Sequence, residues 1–119
     1  MYSEKEIKMD KITNTRCVVT GLGMISAIGN NVEECFANAL AGKTGIDKVA
    51  SVDTTDCYAN LGAEVHCDTL DEIDEAKDVD RVSKLCLKAS KEALDDAGLV
   101  IDESNAGRVG VVMGSCVGG

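Results

Sequence analysis

The sequence predicts an α/β fold with a parallel-type sheet and packed helices, on three observations. Two short runs, "RCVVTG" (16–21) and "RVGVVMGS" (108–115), are rich in β-branched residues and carry one charge each, at the leading arginine. Strands that are apolar on both faces belong to parallel sheets covered by helices above and below. Between them lie stretches with helical periodicity, punctuated by glycine. Two such strands need neighbours on each side, because unpaired edges invite aggregation. The 119 residues therefore read as the opening section of a larger α/β domain.

The first 15 residues, "MYSEKEIKMDKITNT", are polar and of mixed charge and read as a tail, with Met9 an alternative start. No apolar signal segment leads the chain, and no run approaches the roughly 18–20 apolar residues of a membrane span. A cytoplasmic protein is the expectation. The strand 16–21 runs into the glycine turn "GLGMISAIG", and Asn30 or Asn31 can cap the helix that follows, with Glu33 and Glu34 in its first turn. Val32, Cys35, Phe36, Ala39 and Leu40 follow the i, i+3, i+4, i+7, i+8 spacing of one buried face, and Gly42 is a natural stop.

Residues 43–80 are less regular. "GAEV" (62–65) reads as a short extended piece. Between Asp68 and Asp80 stand seven acids against one base, Lys77, a run that belongs on a solvated surface. Asp78 or Asp80 then caps a helix over about 80–97, ended by Gly98. Its stripe of Val82, Leu85, Cys86, Ala89, Ala93 and Ala97 is dominated by small residues, which predicts close packing against a neighbour. The chain closes in a second glycine turn, "CVGG".

Several chemistries are excluded by residue type and spacing. A net charge of −9 disfavours nucleic acid, whose affinity depends on neutralising phosphates. The six cysteines include no CxxC pair, and the one histidine, His66, adjoins Cys67, so a zinc site is not expected. Reduced thiols serving as small core residues are the expectation. A dinucleotide fingerprint needs a third glycine where Ser26 stands, after Gly21 and Gly23, and no strand precedes Asp47 to present it to a ribose. A phosphate loop needs Gly-Lys-Ser/Thr where this chain has Gly29, Asn30 and Asn31. The glycines are instead expected to let the first strand turn tightly into the first helix. Cys116 sits in a glycine turn but lacks the base, cation or helix N-terminus that activates a thiol.

The blocks "RCVVTGLGMISAIGNNVEECFANALAGKTGI", "VDTTD", "DRVSKLCLKASKEALDDAGL" and "RVGVVMGSCVGG", in this order over residues 12–119, resemble the opening of the β-ketoacyl-[acyl carrier protein] synthases of the type II elongation class. The resemblance implies a thiolase-like fold of two similar βαβαβαββ halves, of which this chain is an incomplete first half: a tail at 1–15 and a partial N-terminal domain at 16–119. It implies an acyltransferase chemistry in fatty-acid synthesis without metal or organic cofactor. A cysteine accepts an acyl chain, malonyl-acyl carrier protein is decarboxylated, and the carbanion attacks the thioester.

The family nucleophile lies in an "ACSS"-like motif past the "GS-x-x-GG" turn, and the histidines that stabilise the developing charge lie further on. No catalytic, cofactor or metal residue is carried over. Cys116 falls where the family usually has glycine or alanine. Ser26, Ala27, Ile28 and Gly29 stand where the family often has "SPIG". The family's stretch before the "DR" helix is commonly basic and touches the acidic carrier protein; here it is acidic, leaving Lys77, Arg81 and Lys84 as candidate carrier-protein contacts. The resemblance also implies a homodimer at full length. A non-catalytic relative such as a chain-length factor of polyketide assembly is the alternative, and a small stand-alone binding domain is a third.

Overall fold

The computed structural model describes residues 16–72 and 78–115. The first helix, α1 (Val32–Leu40), is fixed at both ends by side chain and backbone together. Asn31, in extended backbone, accepts from the Glu34 amide through Oδ1 at 2.8 Å, and Glu34 Oε2 accepts from the Asn30 amide at 2.8 Å. This is a reciprocal cap of the capping-box kind, with the return bond displaced by one residue. At the other end Gly42 adopts φ +68, and the Gly42 and Lys43 amides bond back to the Ala39 and Asn38 carbonyls at 3.0 Å. That pairing is a Schellman motif, which needs a residue at ease in the left-handed region.

The strands β1 (Ile46–Lys48) and β2 (Leu61–Ala63) pair antiparallel, Ile46 opposite Ala63 and Lys48 opposite Leu61. Glu64 fastens the loop leaving β1, accepting from the amides of Ala50 at 2.7 Å and Ser51 at 3.0 Å. A 3-10 turn over Asp68–Glu72 then packs on the second helix, α2 (Arg81–Asp96). Asp80 caps α2 by accepting from the Ser83 amide at 2.8 Å, and Gly98 at φ +59 closes it with a second Schellman pairing. A second 3-10 turn spans Ala106–Arg108.

The small-residue stripe of α2 meets the glycine turn directly. A Cβ placed on Gly21 would collide with the Ala93 carbonyl and the backbone and side chain of Ala97, and one on Gly23 with the Ala89 carbonyl. Hydrogen in place of a side chain is what lets the 21–25 segment lie on the helix. The expectation that the glycines serve the bend into α1 is met at Gly29 and corrected at Gly21 and Gly23. Their need is set by approach to α2, while the bend into α1 is made by the Ser26–Gly29 corner, where each residue's amide bonds to the other's carbonyl at 2.9 and 3.3 Å.

Two further expectations are not met among the described residues. The only ladder among the described residues is the antiparallel β1–β2 pair, and the segments expected as parallel strands, 16–21 and 108–115, carry none. A strand is defined by its partner, and these two find none within the described chain. Val19 is 78% exposed and Val112 95%. Nor is the whole apolar face of α1 covered: Cys35 is buried, whereas Phe36, Ala39 and Leu40 are exposed. The buried apolar residues among those described are Cys35, at 2% exposure, and Leu70, at 3%. Of the cysteines expected in a core, Cys35 meets that expectation and Cys17 and Cys57 are exposed.

Unpaired, mainly apolar segments of low charge are templates for pairing with another chain. The weight-average mass measured by light scattering is therefore expected to rise with concentration through the micromolar range. A double substitution Val19→Lys and Val112→Lys should suppress the rise. A mass that stays monomeric in the unsubstituted chain would show that neither segment offers a pairing edge.

Candidate functional site

The segment 16–25 with the Ser26–Gly29 corner and the start of α1 has the outline of an anion cradle, and its amides already have partners. The Leu22 amide donates to Asp96 Oδ2 at 2.8 Å and the Met24 amide to Glu92 Oε2 at 2.9 Å. The other oxygen of Glu92 accepts from the Val32 amide, at the first position of α1, at 2.8 Å. A phosphate would use these same donors, glycine-turn amides and a helix N-terminus. Here two carboxylates one helical turn apart on α2 take them. Glu33 and Glu34 in the first turn of α1 add negative charge at the same end. A bound anion would have to displace bonded carboxylates and sit among four acids, so the turn is structural. Neither Glu92 nor Asp96 stands out in the sequence. The signal available there is an i, i+4 pair of acids beside an alanine stripe, which ordinarily marks a solvated flank.

The corner beneath the turn is held from α1. The Ser26 hydroxyl accepts from the Ile28 amide at 3.2 Å and lies 3.1 Å from Cys35 Sγ, and Asn38 donates from Nδ2 to the Ile28 carbonyl at 2.5 Å. Gly29 is buried against Cys35, leaving no room for a Cβ. Leu22, Met24, Val32, Phe36, Ala39 and Ala63 line an open apolar groove of about 560 Å³ alongside this corner.

Of the candidate carrier-protein contacts, Arg81 and Lys84 occupy the first turn of α2, three residues apart and so on one face. Arg81 is exposed and donates through Nη2 to the Val65 carbonyl; Lys84 is half-buried. Farther along, Lys88 donates from Nζ to the Thr69 hydroxyl at 2.9 Å. Lys77 lies outside the described residues, as does Cys116. Asp68, Asp78 and Asp80, from the acidic run, are exposed. The side-chain and backbone donors of Ser83 hold the Asp80 carboxyl below its ordinary value, and the side-chain hydroxyl of Ser51, with the Ala50 and Ser51 amides, does the same for Glu64. No group of three or more potential metal ligands is gathered among the described residues, and no helix among them is long and apolar enough to cross a membrane.

A family model described as "Beta-ketoacyl synthase, N-terminal domain" matches residues 14–119. The chain belongs to that family. It is 42% identical over 109 residues to a 3-oxoacyl-[acyl-carrier-protein] synthase 2 of Staphylococcus aureus (strain COL), covering 89% of this chain and 26% of the relative. The Vibrio cholerae protein of the same name is 37% identical over 111 residues, covering 91% of this chain and 27% of that one. The chain thus spans about a quarter of the length of the curated relatives it matches. Among the described residues, Cys35 and Leu70 are the buried apolar side chains, and the apolar groove and the 16–21 and 108–115 segments are open to solvent.

Two measurements check the site. Glu92→Ala removes the acceptor for two backbone donors, and a bond to a charged group is worth about 1.5–3 kcal/mol. Hydrogen exchange at the Met24 and Val32 amides should accelerate by at least tenfold, with a smaller effect for Glu92→Gln, which keeps one carbonyl acceptor. Unchanged exchange at both amides would show that the carboxylate is not their partner in solution.

The second concerns pH. The Asp80 carboxyl is depressed below its ordinary value of 3.8 by hydrogen bonds from Ser83. Since the folded form holds its proton less tightly, the cap's contribution is fully present above the ordinary value and is lost as pH falls through the depressed one. The first turn of α2 should fray over that acid window. Asp80→Asn, an equally good cap that does not ionise, should retain amide protection at Ser83 there; equal fraying in both proteins would assign the acid sensitivity to another carboxylate.

Proposed function

We propose that this chain forms the N-terminal section of a 3-oxoacyl-[acyl carrier protein] synthase, a cytoplasmic condensing enzyme of fatty-acid elongation with a thiolase-like fold that acts as a homodimer. The observation that carries this reading is the match to synthases of that name along nearly the whole chain. In the complete enzyme an acyl group passes from its thioester to a cysteine, malonyl-acyl carrier protein loses carbon dioxide, and the resulting carbanion attacks the acyl-cysteine to give the 3-oxoacyl product. Stabilisation of the developing enolate and oxyanion by positioned donors supplies much of the rate. Those groups are assigned to the part of the enzyme beyond this section.

The section's own contribution is architectural and, through α2, recognitive. The α2–glycine-turn unit supplies a rigid block on which the remainder packs, and Arg81 and Lys84, with Lys77, present basic groups to an acidic carrier protein. The tail at 1–15 and the partial domain at 16–119 are the corresponding divisions of the chain.

The decisive experiment joins this chain to the part of the Staphylococcus aureus synthase that follows the matched region. Incubated with malonyl- and acyl-acyl carrier protein, the chimera should release 3-oxoacyl product. The 119-residue chain alone should show neither product nor, by mass spectrometry, an acyl adduct on any of its six cysteines. A cooperatively folded chimera without condensation, or a stable adduct on Cys116 of the isolated chain, would overturn the assignment. In the same chimera, Arg81→Glu with Lys84→Glu should raise KM for the carrier-protein substrate several-fold and leave kcat within twofold. An unchanged KM would remove this face of α2 from carrier docking.

A further inference from the structure

We draw no further inference here: the strongest candidate, the open apolar groove between the 22–28 turn, α1 and β2, carries nothing because nothing in the structure shows what covers it.

Discussion

The contact between the glycine turn and α2 is the constraint on which the rest of this section of chain depends. Two peptide units of the 21–25 segment lie so close to the helix that the Ala89 and Ala93 carbonyls occupy the space a Cβ would take. At the rim of that contact Glu92 and Asp96 reach over the flank of α2 to accept from alternate residues, Leu22 and Met24, in solvent-exposed bonds. Alternation is natural: in an extended segment every second amide points the same way. The second oxygen of Glu92 then carries the same kind of bond across to Val32 and positions α1 relative to α2. One carboxylate thus ties α2 to both the turn and the start of α1, 60 or more residues away.

In this arrangement a region with the outline of a nucleotide site finds partners for its amides within the chain itself. The chemistry that draws a phosphate to a glycine turn is a set of amides in search of negative charge. An internal carboxylate satisfies the same demand without loss of translational freedom, because it is already attached. Gly21 and Gly23 are required in both cases for close backbone approach, to a ligand in one and to a helix in the other. A glycine pattern after a strand therefore specifies proximity; the residue that fills the opposite side decides to what.

Local signals in the chain are legible because each acts within a few residues. Asn31, Gly42, Asp80 and Gly98 fulfil capping rules that depend on nothing beyond one turn, and the helix ends fall within one residue of where those rules put them. The alanine stripe of α2 was equally legible as a packing face, although its partner was not: no rule of spacing joins Ala89 to Gly23 across 66 residues. The strand β1 was invisible for a different reason. Ile46, Asp47 and Lys48 are all exposed, so no alternation of polarity marks them, and the pair is held by backbone bonds and by Glu64 on the following loop. The runs 16–21 and 108–115 show the converse failure, in which strong strand composition produces no ladder where the partners are not within the described residues. Family membership, by contrast, was readable from blocks of sequence, since it rests on residue order and needs no assembled core.

The acidic run before α2 bears on how a carrier protein would be met on the proposed reading. Asp78 and Asp80 stand within a few residues of Arg81 and Lys84 along the chain, so acid and base sit side by side at the start of α2. Seen from farther away, the start of α2 thus offers an acidic partner little net attraction, and long-range steering through it is weak. Short-range contact follows different rules. Asp80 is turned toward the Ser83 amide and hydroxyl as a cap, which directs its charge into the helix start. Arg81 uses one guanidinium nitrogen on the Val65 carbonyl and keeps its other donors. A planar guanidinium suits bidentate recognition of a carboxylate or phosphate, which an ammonium does not provide. On the proposed reading, this electrostatic ground would have the α2 face contribute to the lifetime of a carrier-protein encounter more than to its rate.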